Sequence, residues 1–227
     1  MVPNEHTNQV KLVGYYGSDE IIAQAAWTST NRTLDADKLS RVPTLLKFLV
    51  EGSDGKSHET PFERSLLHFV VTTDQATAVH LLKHRIGVSL NSESARYKEL
   101  KDDKYYLPID WPEEERAQLE SFCKDAYDKY HAVYDRLVNV HGFDKKRAKE
   151  SARYYVPYAN QLTQDMNFNF RSFVHFCKLR AVPGAQYEVR QVAQKMIRLV
   201  SSIEGDPFHH SIRAWNLHKY DDGFNDE

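Results

Sequence analysis

Lys83, His84 and Arg85 stand together, and within the next twelve residues come Ser89, Asn91, Ser92, Glu93, Ser94, Arg96 and Tyr97. Guanidinium forks bind phosphate bidentately, while amides and hydroxyls orient a ring through its edge. A phosphorylated heteroaromatic ligand calls for such a donor set; a plain surface loop does not. Ala76–Leu82 reads as helix, with Asp74 as its cap, so the cluster stands where a helix runs into a polar loop.

Two more polar clusters follow the same logic. His58-Glu59-Thr60-Pro61-Phe62-Glu63 is turn-like and dense in hydrogen-bonding groups, and Asn167-Phe168-Asn169-Phe170-Arg171-Ser172 marks a strand-to-helix junction. His175, Lys178 and Arg180 lie along the helix after that junction. His175 is four residues beyond Arg171, so the two share a face. Taken alone, this last cluster also fits a solvated basic face with a capping asparagine. Arg153 precedes a Tyr-Tyr-Val-Pro stop and also fits an interhelical salt bridge.

The elements that must hold these clusters follow from periodicity. Val10–Tyr16 alternates as a first strand, and Ser18 opens a helix over Asp19–Ala26. Asp35 starts a second helix through Leu39, Val42, Leu45, Leu46 and Leu49, broken by Gly52-Ser53-Asp54-Gly55. Leu66–Thr73 is β-branched and aromatic, the best strand in the chain. Tyr105–Pro112 is extended. A long helix runs from Glu113 to about Val140 and ends at Gly142. Further helices are expected over Lys145–Tyr155, Arg171–Arg180 and Ala185–Ile203, with a strand at Leu162–Phe170. The end of the chain, from about residue 218, reads as frayed. No repeat or dividing linker is visible, so 227 residues are read as a single domain.

Composition narrows the function. A chain with 41% hydrophobic and 27% charged residues can build a sizeable core. Formal net charge is −2, which argues against nucleic-acid binding through a basic field. No apolar run reaches membrane-spanning length and no signal-peptide core opens the chain, so a cytoplasmic protein with no membrane partner is expected. Cys123 and Cys177 read as core thiols rather than a disulfide. No metal is expected, because the eleven histidines are scattered without cysteine or carboxylate partners at ligand spacing. No Gly-rich loop follows a strand, so a dinucleotide would not be held in the Rossmann manner.

In order, these motifs resemble the flavin-dependent thymidylate synthases. That family carries Arg-His-Arg, seven residues, then Ser-x-Arg-Tyr; here the run is Lys83-His84-Arg85, eight residues, then Ser94-Ala95-Arg96-Tyr97. An early Ala25-Ala26-Trp27-Thr28-Ser29, Arg153-Tyr154-Tyr155-Val156-Pro157, Asn169-Phe170-Arg171-Ser172 and Leu179-Arg180-Ala181 through Ala185-Gln186 match further family segments. The resemblance covers about residues 20 to 200. It implies an α+β fold, helices around a mostly antiparallel sheet, of the thymidylate synthase-complementing-protein type. It implies C5 methylation of dUMP to dTMP, with methylenetetrahydrofolate as carbon donor, reduced FAD giving the hydride and NADPH reducing FAD. It implies a homotetramer with FAD at subunit interfaces.

Carried over residue by residue, the resemblance gives Ser29, Thr60, Glu63, Lys83, His84, Arg85, Asn91, Glu93, Asn169, Arg171 and His175 to the cofactor. It gives His80, Glu93, Ser94, Ala95, Arg96, Arg153 and Arg180 to the nucleotide, with Arg180, Ser94 and His84 at the reaction. Ser94 beside cations also invites a nucleophile role, but no base lies at suitable spacing, so it is read as a hydroxyl that donates a hydrogen bond to phosphate. Glu63 also fits a strand anchor paired with a cation. His58 fits either a gate or a plain turn residue, and Tyr97 either a stacking or a core residue. Lys83 in place of arginine loses a planar fork. The extra loop residue leaves the carboxylate's place, Glu93, open. His80 stands for a family glutamine and Gly184 for a family histidine. These departures keep two rivals in view: a C5 methylase or hydroxymethylase acting on UMP or another pyrimidine nucleotide, and a noncatalytic nucleotide- or flavin-binding homologue.

Overall fold

The computed structural model describes residues 6–53, 55–94 and 103–220. The readings that concern Ala95, Arg96 and Tyr97, or the tail beyond Tyr220, lie outside them.

Four strands form one sheet: β1 (Gln9–Tyr16), β2 (Leu66–Asp74), β3 (Val88–Ser92) and β4 (Gln161–Phe168), in the order β1-β2-β4-β3. Asn8 reaches Asp74 while Gly17 abuts Ser65. Thr72 meets Thr163 while His68 meets Asp165. Glu93 donates to the Thr163 carbonyl while Asn169 donates to that of Gly87. In each pair numbering rises on one strand as it falls on the other, so every neighbour is antiparallel. With the helices described below, this is the α+β architecture expected.

The chain divides into two compact units. The first contains Met1–Gln9, Val71–Leu82 and Asn91–Gln164. Its helices are α3 (Gln75–Leu82), α4 (Glu113–Asn139) and α5 (Lys145–Ala152), the last followed by a tight turn over Arg153–Tyr155. Asp74 accepts the Thr77 N–H and Asp144 those of Lys146 and Arg147, which answers donors that a helix start leaves open. Tyr105, Leu107, Cys123, Tyr127, Tyr130 and Ala152 make the core of this unit. The Tyr127 hydroxyl lies 2.5 Å from Asn160 Oδ1 and 2.8 Å from the Lys104 carbonyl, so a buried phenol keeps polar company.

The second unit contains Val10–Val70, Lys83–Leu90 and Asp165–Glu227. Its helices are α1 (Asp19–Ala26), α2 (Ala36–Glu51), α6 (Phe170–Arg180), α7 (Tyr187–Ser201) and α8 (His209–Ala214). In α7, Val189, Val192, Ala193, Met196, Ile197 and Val200 recur at threes and fours and are buried. Phe62, Phe69, Phe168, Phe170, Phe173, Phe176 and Phe208 are fully buried and fill the centre. Phe168 and Phe173 meet edge-on at 6.0 Å, and Phe170 stacks on Phe208 at 5.2 Å. Each such ring contributes about 1.5–3 kcal/mol by leaving water.

Three expectations need correction. The segment read as polar loop after Arg85 contains strand β3, because pairing with β4 orders residues whose own propensity is low. The helix expected over Lys145–Tyr155 is α-helical only to Ala152 and then tightens. Beyond the helix expected to end at Ile203, His209 and His210 open α8, and Leu217–Tyr220 forms a turn with buried Leu217 where fraying was expected from about residue 218.

Candidate functional site

Most of the residues expected to contact the cofactor fall in the second unit. Asn169 organises them. Its carbonyl accepts from Phe173 and its side chain from the Ser172 N–H, so it caps α6. Its own N–H donates to the Gly87 carbonyl at 3.1 Å, which ties the Lys83–Leu90 segment to the start of the helix. Gly87 has φ +64°, and a Cβ there would overlap Asn169 Nδ2 and Ser172 Oγ. Only glycine fits both the backbone and the space. The turn at Ile86–Gly87 lies within the stretch that has one residue more than the family spacing, and Ile86 is 91% exposed.

From that anchor α6 presents two contacts. At its start, Arg171 is forked by two carboxylates: Nε donates to Glu59 at 2.9 Å and Nη1 to Glu63 at 2.7 Å. Burial pushes the Glu59 carboxyl up, but hydrogen bonds from Ser57 and Arg171, with the charges of Arg171 and Lys178, bring it net below its usual range. The Arg171 guanidinium is raised by Glu63 first and Glu59 second. The trio holds a guanidinium plane in one orientation, which a lone arginine would not keep. At the end of α6, Arg180 Nε donates to His84 Nε2 at 3.1 Å. In that bond the His84 Nε2 is the acceptor. The His84 ring meets Phe176 edge-on at 4.9 Å and His175 at 6.1 Å. An imidazole from the first polar cluster and an arginine from the last thus meet across 96 residues of chain.

Lys83, Arg85, Thr60 and His175 are exposed. Ser29 is exposed in the turn Trp27–Ser29 and donates to the Ala26 carbonyl at 3.3 Å. Asn91 is exposed on β3, in the first unit.

Of the residues expected at the nucleotide, His80, Glu93, Ser94 and Arg153 belong to the first unit. His80 is half-buried on α3, and Ser94 is half-buried just past β3. Glu93 accepts the Thr163 N–H through Oε2 at 3.2 Å, so its carboxylate also helps to pair β3 with β4. Arg153 is exposed at the start of its turn, beside exposed Tyr154 and Tyr155. Ala95 and Arg96 lie outside the described residues.

Glu59 and Lys178 were visible in the sequence only as part of motifs; what singles them out is their distance to Arg171 and to a ring far along the chain. Among the described residues no group of histidine, cysteine and carboxylate side chains is arranged to hold a metal ion, and no helix is long and apolar enough to cross a membrane. Both cysteines are buried and unpaired, as expected.

Comparison with known proteins agrees with the motif order. A family model described as thymidylate synthase complementing protein matches residues 11–204. A protein of Pseudothermotoga lettingae named flavin-dependent thymidylate synthase is 30% identical over 201 residues, covering 86% of this chain and 85% of its own. One of the same name from Thermosipho melanesiensis is 30% identical over 206 residues, covering 84% of each chain. Among solved structures, a UMP/dUMP methylase, PolB, from Streptomyces cacaoi bound with 5-Br dUMP superposes with a TM-score of 0.72 at 24% identity, covering 92% of this chain and 96% of that one. That likeness is one of fold. Motifs, fold and relatives together place the chain in the thymidylate synthase complementing protein family, the flavin-dependent thymidylate synthases.

Proposed function

We propose that the protein is a cytoplasmic flavin-dependent thymidylate synthase acting as one functional domain: it methylates C5 of dUMP to give dTMP, takes its carbon from methylenetetrahydrofolate, uses FAD as cofactor and draws reducing power from NADPH. The donor set fits the cofactor. Lys83 and Arg85 offer exposed cations for a pyrophosphate, and Thr60, His84 and the fixed Arg171 plane offer directional donors for a flat heterocycle. Bound FAD would supply the hydride that completes the methyl group. We carry over from the family a homotetramer with FAD at the subunit interfaces.

The observation that carries this reading is the Arg180–His84 contact. It uses Nε of Arg180, and the proposal gives the terminal guanidinium nitrogens to the nucleotide. A cation beside the uracil carbonyls stabilises the negative charge that spreads onto oxygen as C5 becomes nucleophilic. His84 would border the cofactor. Ser94 and Arg153, with Arg96, would grip the phosphate, and His80, Glu93 and Ala95 would border the base and sugar.

A second reading, methylation of UMP or another pyrimidine nucleotide, draws on Lys83 in place of arginine and on the additional residue of the signature loop. Purified protein given FAD, NADPH and methylenetetrahydrofolate with either dUMP or UMP, followed by product mass, separates the two. Methylated dUMP supports the first reading, and methylated UMP alone replaces it with the second. Binding of dUMP without flavin uptake or product would make the chain a noncatalytic homologue.

A further inference from the structure

The stretch matched by the family model ends at residue 204, and the chain goes on through α8 to the turn Leu217–Tyr220. Trp215 lies between these two elements and is buried. Its ring meets Phe62 at 5.4 Å with an interplanar angle of 70°. Lys178 Nζ stands 4.3 Å from the centre of the same ring. Phe62 is the buried residue of the turn Thr60–Glu63, and Lys178 follows Arg171 by seven positions, two turns along one face of α6. The Lys178 charge also acts on Glu59, the carboxylate that accepts from Arg171 Nε. One indole therefore touches both supports of the Glu59–Arg171–Glu63 fork.

Trp215 is itself firmly seated. Asp19, buried at the start of α1, accepts from the His210 N–H at 2.6 Å, the Ser211 N–H at 3.0 Å and the Ser211 hydroxyl at 2.5 Å. The Trp215 N–H donates to the Ser211 carbonyl at 3.1 Å. The indole N–H, by contrast, is buried with no hydrogen-bond partner among the described residues. A buried donor left open is a cost that phenylalanine would avoid. What tryptophan adds at this position is a broad ring face, the best of the aromatic faces for holding a cation.

We propose that Trp215 is a positioning residue for the turn Thr60–Glu63: it seats Lys178 on its face and packs against Phe62, and so keeps Glu59 and Glu63 aligned on Arg171. The proposal rests on the reading that assigns Thr60, Glu63 and Arg171 to the flavin.

Titration of flavin-free protein with FAD, read by flavin absorbance and fluorescence, tests it on the wild type, Trp215→Phe, Lys178→Met, Lys178→Arg and the Trp215→Phe/Lys178→Met double variant. Trp215→Phe and Lys178→Met each weaken FAD binding by about three- to fivefold, the scale of a cation–ring contact. Lys178→Arg keeps a cation over the ring and binds as wild type. The double variant loses little more than either single one, because both remove the same contact. Wild-type affinity in both single variants, equal losses with Met and Arg, or losses that multiply in the double variant would overturn the proposal. If Trp215→Phe fails to fold, the Met and Arg replacements of Lys178 decide. Wild-type protein that takes up no FAD defeats the flavin reading itself, and this inference with it; uptake by the wild type with undiminished uptake by the variants defeats this inference alone.

Discussion

Arg180 and Arg171 are both arginines of α6, yet their surroundings give them different work. Arg171 is held by two carboxylates that fix its plane through Nε and Nη1, whereas Arg180 meets an imidazole nitrogen through Nε rather than a carboxylate. Arg180→Ala is expected to cost about 1.5–3 kcal/mol in dUMP affinity, the worth of a charge-assisted bond, with a much smaller effect on folding. Calorimetric titration and a melting curve on the same sample check this; unchanged affinity with a collapsed melting point would make Arg180 structural. Glu59 gives a pH signature. Its carboxyl is held below the ordinary 4.5, so its ionised form is favoured by folding. The stability it contributes is complete above 4.5 and is lost as pH falls through the lowered value. Glu59→Gln should therefore lose stability near neutrality and show a shallower decline in acid than wild type. A denaturant series from neutral pH to below pH 4 reads this directly. The pairing of Arg171 with Glu59 and Glu63 could not be read from spacing, since 112 and 108 residues separate the partners. The motif showed which residue types were present, and only the fold shows which of them oppose one another.

Elements with a strong local pattern were legible. β2 alternates buried and half-buried side chains, and α7 keeps threes and fours; each announces itself because its own side chains decide its burial. β3 did not. Val88-Ser89-Leu90-Asn91-Ser92 has few strand-forming residues, and its order comes from β4 rather than from itself. α8 is six residues long and starts with two histidines; its open N–H groups are answered by Asp19 from 191 and 192 residues away, which no window of sequence contains. The joint between β3 and α6 depends on Gly87. Gly87→Ala would combine a left-handed backbone with a clash against Asn169 and Ser172, for about 1–3 kcal/mol of destabilisation. Because Asn169 also caps α6, FAD affinity should fall together with the melting point. An alanine variant with unaltered melting and flavin uptake would show that this close approach is not needed.

At the scale of the whole molecule, the order of motifs along the chain was the readable part. Five short segments in family order carry most of the candidate residues, and the fold brings His84, Arg171, His175 and Arg180 into one unit around α6. What motif order could not supply was the closure of that unit on itself. Asp19, near the beginning, holds Ser211, near the end, through two hydrogen bonds, and burial pushes its carboxyl upward despite the donors around it. Asp19→Asn replaces an acceptor oxygen with an amino group facing donors, and should cost about 1–3 kcal/mol. For a chain of this size that is a fall of about 2–4 °C in melting temperature per kcal/mol. An unchanged melting point would mean that α8 is held by its apolar face alone.

The proposed reaction requires a flavin and a pyrimidine nucleotide to occupy one site. Titrating FAD-loaded protein with dUMP while recording the visible flavin spectrum tests this most directly. A saturable shift in the flavin bands is predicted, with Arg180→Ala moving the midpoint to higher dUMP. Binding of dUMP detected by calorimetry with a flavin spectrum that does not change, or protein that retains no flavin at all, would contradict it.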